Sequence, residues 1–284
     1  MTIQTRRNFL ATLGVAALGI ASNATAASEV LSPRRKIKRV GLQLYTVRDL
    51  MKADLAGTLA KVAAIGYKEV EFAGYFGRTP AEIRALLRRN GITSPSTHLS
   101  FDLLQTGWQK ALDDAKAIGH HWVTIAWIPE EKRKSLDDWK AHAALFNRAA
   151  AQAKSAGLRF AYHNHDFEFK DFGDVIPLEL LLKETDPSLV DFEMDLYWVT
   201  FGGGNPIDLF NRYPKRFPLV HVKDSSGPPD KKIVDVGQGT IDFRSIFAQS
   251  DKAGIKHYFV EHDQPADPIA TIRNSYKYLH ALTY

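Results

Sequence analysis

Eight short β-rich runs recur along this chain, each followed by a polar or glycine-bearing loop and, in most units, an amphipathic helical stretch, and this alternation limits the folds open to it more than any other feature. The runs are Val40 to Tyr45, Glu69 to Phe72, Ile92 to Thr97, Trp122 to Trp127, Arg159 to Tyr162, Leu189 to Met194, Leu219 to Val222 and His257 to Val260. Their apolar character marks them as strands buried on both faces, as in a parallel sheet. Between them, Leu55 to Ile65, Pro80 to Asn90, Trp108 to Ile118, Leu136 to Ala156 and Ile241 to Ala253 carry apolar residues at three- and four-residue spacings. Each such stretch has one face to lay on the sheet.

The joints repeat as well. Gly66, Gly91, Gly119, Gly157 and Gly254 each sit where a helix ends in a left-handed cap just before the next strand. Eight units of this kind predict an α/β fold, the (β/α)8 TIM barrel. A doubly wound open sheet is the rival, but it places a glycine-rich phosphate loop after its first strand, and here that loop reads Tyr45-Thr46-Val47-Arg48-Asp49. The 284 residues leave room for two domains. However, no Gly/Ser- or Pro-rich linker divides them, and α/β barrels commonly use about 250 residues as one domain. The barrel is therefore expected over residues 37–284.

The residues before it read as an export signal over 1–26 and a basic leader over 27–36. Arg6-Arg7 leads into the apolar stretch Ala11 to Ala21, and Ala24-Thr25-Ala26 offers the small-x-small pattern that a signal peptidase cuts. The stretch is short for a membrane span, so contact with the membrane is expected only during twin-arginine export. A soluble periplasmic protein is the expectation. The absence of cysteine suits an oxidising compartment and leaves only nitrogen and oxygen donors for any ion. Loss of Arg6 and Arg7 lowers the formal charge from +5 to about +3, too mild to argue for nucleic acid. The basic cluster Arg34 to Arg39 reads as a solvated leader.

Chemistry enters at the strand ends. His163, Asp195, His221 and Glu261 each follow one of the later runs, and in a closed barrel those ends converge on one mouth. Singly, each has an ordinary explanation, since an Asp after a strand often caps a helix and a lone His is often a satisfied core group. Together they form a carboxylate–imidazole set suited to a Mn, Co, Zn or Mg type of divalent ion. Glu71 and His98 end the second and third runs. Glu168, Trp198 and Lys223 lie close by in sequence to the proposed ligands, and all five are candidates for substrate contact. The aromatics Tyr45, Phe72, Trp127 and Tyr197 near strand ends give weak support for a sugar-binding mouth.

At these residues the chain resembles the xylose-isomerase-like barrels, a group of sugar epimerases, inosose dehydratases and apurinic endonucleases. The likeness spans about residues 38–282. It rests on Gly41-Leu42-Gln43-Leu44-Tyr45, Tyr162-His163-Asn164-His165, Met194-Asp195, His221-Val222-Lys223-Asp224, Val236-Gly237-Gln238-Gly239 and Val260-Glu261-His262-Asp263. The resemblance implies Asp195, His221 and Glu261 as metal ligands, with His163 where the family's epimerases carry a Glu that doubles as a base. It also implies a divalent metal cofactor and a small-molecule carbohydrate substrate, and the expected substrate is a sugar, a keto sugar or a keto-glycoside. That departure at position 163 puts two-base epimerisation in doubt.

Strand alternation would place His163 and His165 on one face, so one could bind the ion while the other moves a proton. Either His165 or Glu261 is the expected base, and an enediolate the expected intermediate. Reprotonation then gives an isomer or epimer. Loss of a β-substituent gives an unsaturated keto sugar, and the missing Glu inclines the reading towards that elimination. A non-catalytic carbohydrate-binding barrel is the alternative of a different class. A phosphodiesterase acting on damaged DNA would need more strand-end histidines, and Trp198 stands where such enzymes tend to place one. The oligomeric state is left open.

Overall fold

Residues with high β-propensity, short lengths and glycine-bounded ends turn all eight runs into strands, almost every residue of which is buried. The structure is a computed structural model that describes residues 35–284. The export signal expected over 1–26, and nearly all of the leader expected over 27–36, lie outside the described residues. The strands are β1 (Val40–Gln43), β2 (Glu69–Phe72), β3 (Thr93–Leu99), β4 (Trp122–Ile125), β5 (Arg159–His163), β6 (Val190–Asp195), β7 (Leu219–Val222), β8 (Asp224–Ser225), β9 (Ile233–Val234) and β10 (His257–Val260). Eight of them close in the order β1-β10-β7-β6-β5-β4-β3-β2, with parallel neighbours throughout, while β8 and β9 form a separate antiparallel ribbon. The predicted (β/α)8 barrel is what the chain forms.

Closure depends on one small residue. A Cβ added at Gly41 would lie 2.5 Å from the Phe259 ring, so glycine there lets β1 lie against β10. The five cap glycines all adopt positive φ. Inside the barrel, Trp122, Ala161, Leu219 and Phe259 form an apolar cluster of their own. Ala161, Leu219 and Phe259 each precede His163, His221 and Glu261 by two positions, so alternation sets this plug one layer below those residues.

Several boundaries differ from the sequence expectation for local reasons. β1 stops at Gln43 because its side chain accepts from the Tyr45 backbone N–H at 3.0 Å and starts a 3-10 turn, Leu44–Val47. β4 stops at Ile125, leaving Trp127 outside the sheet and 48% exposed. The stretch expected as one helix from Ile241 to Ala253 is two, Phe243–Ala248 and Ser250–Ala253. There the buried Ser250 hydroxyl donates back to the Phe247 carbonyl, drawing the backbone away from a continuous helix. Among the described residues, no helix is long and apolar enough to cross a membrane.

Candidate metal centre

His163 is the last residue of β5, Asp195 the last of β6, His221 the third of β7, and Glu261 follows β10 directly. Each is buried, and each offers one donor atom to a group whose atoms lie within 4.8 Å of one another. His163 Nε2 stands 3.5 Å from Asp195 Oδ2, and His221 Nδ1 stands 3.9 Å from that oxygen and 2.9 Å from Glu261 Oε2. The register explains the convergence, since Asp195 pairs with His221 across β6 and β7.

The donor atoms are also aimed. His163 Nδ1 donates to the Ala126 carbonyl at 3.0 Å, which turns Nε2 inward without a hydrogen-bond partner. Asp195 divides its oxygens. Oδ1 accepts from the Trp198 backbone N–H at 2.9 Å and caps the helix Leu196–Phe201, whereas the buried Oδ2 accepts no directed hydrogen bond. The capping role and the ligand role that compete for such an Asp in sequence are both met here. Buried polar atoms left unpaired in a carboxylate–imidazole set fit a divalent cation of the N/O-binding kind.

Electrostatics bind the group together. The fully buried Lys223 ammonium lies 3.0 Å from Asp195 Oδ2, 2.9 Å from Glu261 Oε2 and 2.8 Å from Asp263 Oδ1. Burial works against the Asp195 and Glu261 carboxylates, but the cations beside them, Lys223 foremost, overcome it. Asp195 is held at about 2 and Glu261 well below the usual range. Burial likewise opposes the Lys223 and His221 cations, yet their carboxylate neighbours raise both well above ordinary values.

A second layer lies against the first. His221 Nε2 donates to Glu71 at 2.7 Å, and Glu71 accepts from Gln43 at 2.7 Å. His98 Nε2 lies 2.6 Å from Glu193 and 3.3 Å from Glu71. Glu71, His98, Glu193 and His221 thus form a second cluster of potential ligands that shares His221 with the first. Glu193 carries no role in the sequence reading, although Asp191, Glu193 and Asp195 alternate along β6 and so share its inner face. Asp263, close against Lys223, was passed over too.

The other expected residues fall into two groups. His98, His163, His165, Lys223 and Glu261 line a cavity of about 870 Å³ at the barrel mouth. Glu71, Glu168 and Trp198 do not line it. Glu71 holds His221, while Glu168 accepts from the Tyr162 hydroxyl and from the His165 backbone N–H at 2.8 Å, with burial raising its pKa to about 7. The Trp198 ring lies beside His165, with Lys223 Nζ 5.4 Å from its centre. The alternation expected for the two histidines needs correction, because β5 ends at His163 and His165 lies beyond it. They still meet, with ring centres 4.8 Å apart, since Phe167 stacks on His165 and Glu168 pins its backbone. His165 Nδ1 is buried without a hydrogen-bond partner, and burial first, then His163 and Lys223, holds the ring neutral.

Comparison with known proteins gives a consistent family. The family model for the xylose isomerase-like TIM barrel matches residues 59–282. The chain is 29% identical over 189 residues to an inosose dehydratase of Geobacillus kaustophilus, covering 58% of this chain and 60% of that protein. An inosose dehydratase of Lacticaseibacillus casei is 26% identical over 256 residues, covering 76% of this chain and 85% of the other. Among solved structures, a sugar phosphate isomerase/epimerase from Parabacteroides distasonis superposes with a TM-score of 0.75 at 29% identity, covering 90% of this chain and 98% of that one.

Proposed function

The chain belongs to the xylose isomerase-like TIM barrel family, and from that premise we propose that it is a divalent-metal-dependent enzyme that removes water from, or isomerises, a sugar bearing a carbonyl. The observation that carries the reading is the converging donor set of His163, Asp195, His221 and Glu261, in which the buried His163 Nε2 has no hydrogen-bond partner, beside His165, which lines the mouth cavity together with His163 and Glu261. His163, Asp195, His221 and Glu261 would hold the ion, with Glu71 fixing His221 through Nε2 while Nδ1, here hydrogen-bonded to Glu261 Oε2, would give up its proton to ligate. When bound, such an ion polarises a carbonyl or hydroxyl oxygen of the substrate.

The chain's own groups then account for the proton. His165, neutral and lining the cavity, takes the proton from the carbon beside the carbonyl. In an elimination the C–H electron pair forms the new C=C bond, the C–O bond to the β-hydroxyl breaks, and the imidazolium returns its proton so that water leaves. In an isomerisation the proton is delivered to the former carbonyl carbon, and the neighbouring hydroxyl gives its proton to the former carbonyl oxygen as its own carbon becomes the new carbonyl. Glu261, the other base named from sequence, is held by His221 and Lys223 as a ligand carboxylate. The likeness to proteins named inosose dehydratase, and a histidine at position 163 in place of a second glutamate, both favour elimination. We propose further that the mature protein acts in the periplasm, on the strength of Arg6-Arg7 and Ala24-Thr25-Ala26.

The test is proton exchange on keto sugars in heavy water, run beside metal analysis. His165→Asn keeps its metal and loses exchange by roughly 10²–10⁴-fold. Wild-type exchange rates in that variant, with metal retained, overturn the assignment of the base.

A further inference from the structure

The ion-binding end occupies only part of the mouth cavity. Its 870 Å³ lies near the top of the roughly 300–1,000 Å³ that enclose drug-sized ligands, several times what one six-carbon ring fills. The same cavity is also lined by Tyr75, Leu99, Leu103, Ala111 and Trp127, none of which belongs to the expected donor set. The loop after β4 links this lining to the donor set, because the carbonyl that orients His163 belongs to Ala126, next to Trp127.

Two large aromatic side chains lining this cavity, Tyr45 and Trp127, are 42% and 48% exposed. Tyr45 is held in place by Arg48, whose guanidinium lies 4.1 Å from the ring centre and bonds the Tyr45 and Asp263 carbonyls. Exposed aromatic faces of this kind suit the apolar face of a second ring. Cations, by contrast, are spoken for. Lys110 and Lys223 are the only Lys or Arg residues lining the cavity among the described residues, and each is ion-paired, Lys110 to Asp114 and Lys223 to three carboxylates. A phosphate group would find no uncommitted Lys or Arg there.

We propose that the substrate is an uncharged glycoside whose reacting sugar ring carries a ketone, in which that ring meets the donor set and the attached second ring, sugar or aryl, lies in the rest of the cavity against Trp127. The inference rests on the sugar chemistry proposed above and narrows its substrate class.

The experiment is calorimetric binding to the metal-loaded protein of a panel of 4-nitrophenyl hexosides carrying a ring ketone, their parent keto hexoses and the 6-phosphates of those hexoses. At least one glycoside is expected to bind about tenfold or more tightly than both its parent hexose and the phosphate. Trp127→Ala should narrow that margin, costing the glycoside about tenfold more affinity than the hexose. No glycoside binding more tightly than its hexose, a preference for the phosphate, or equal losses in Trp127→Ala would each overturn the proposal. Glycoside binding without proton exchange on any sugar would instead refute the catalytic reading while leaving the two-ring site standing.

Discussion

Lys223→Met tests the charge balance of the centre directly. Lys223 is enclosed and meets Asp195, Glu261 and Asp263 at 3.0, 2.9 and 2.8 Å, so methionine keeps the bulk while leaving three crowded carboxylates with histidines alone to offset them. Removing one partner of a buried ion pair costs about 3–5 kcal/mol, because the other charge stays behind unpaired. At about 2–4 °C per kcal/mol for a chain of this size, Tm in chelator should fall by about 6–20 °C. A divalent ion bound by Asp195 and Glu261 replaces the lost charge. It adds about 2.7 kcal/mol at a hundredfold excess over its Kd, and more in the variant, where no ammonium repels it. The assay is thermal unfolding followed by circular dichroism, for both proteins, in EDTA and in Mn²⁺ or Zn²⁺. An unchanged Tm in chelator, or a metal response no larger than the wild type's, refutes the reasoning.

The remaining predictions are simpler. Asp195→Ala, His221→Ala and Glu261→Ala should each lower bound metal, measured by elemental analysis, far more than His98→Ala, which belongs to the neighbouring cluster. Glu168, raised to about 7 by burial, is protonated in the folded chain and ionised in the unfolded chain between about pH 4.5 and 7. The native state then binds more protons, so this contribution is present in full below about 4.5 and is lost as pH rises through 7. Glu168→Gln should flatten that fall, up to about 3 kcal/mol across the window, in urea titrations at pH 4.5 and 7.5; an unaltered slope argues against the shift. Arg6→Lys with Arg7→Lys should leave uncleaved precursor in the cytoplasm on immunoblots, and normal export would remove the case for a twin-arginine signal.

Periodicity made the barrel legible because parallel strands buried on both faces leave a signal that needs no partner to read. β2, β7 and β10 fall on the residues expected, and the errors at β1 and β4 come from side-chain and loop geometry that propensity does not encode. The donors His163, Asp195, His221 and Glu261 could be read because strand ends in a barrel have a known destination. Glu193 was hidden inside a run taken as apolar, although Asp191-Phe192-Glu193-Met194-Asp195 carries acids at alternate positions that must share one face. Asp263 and the supporting role of Glu71 depend on contacts between strands far apart in sequence, and that of Glu168 on how the loop after β5 folds back on Tyr162 and His165. Whether an acid reaches the cavity or pins a neighbour is decided by packing, which no single-strand pattern reveals.

The dispersal of the four donors over β5, β6, β7 and β10 has a kinetic corollary. Neither β5 nor β10 alone carries more than one of them, and the four are complete only when β10 pairs with β7, since β10, β7, β6 and β5 are consecutive neighbours in the sheet. Such non-local pairing comes after local helix formation, since the loop entropy must be spent before distant pairings return anything. A chain whose β10 has not docked therefore holds no complete ion site, and high-affinity uptake marks the pairing of β10 with β7, whether or not β1 has shut the ring. Stopped-flow refolding with a fluorescent zinc indicator would see ion capture lag behind helix formation and coincide with protection of the β7 and β10 amides.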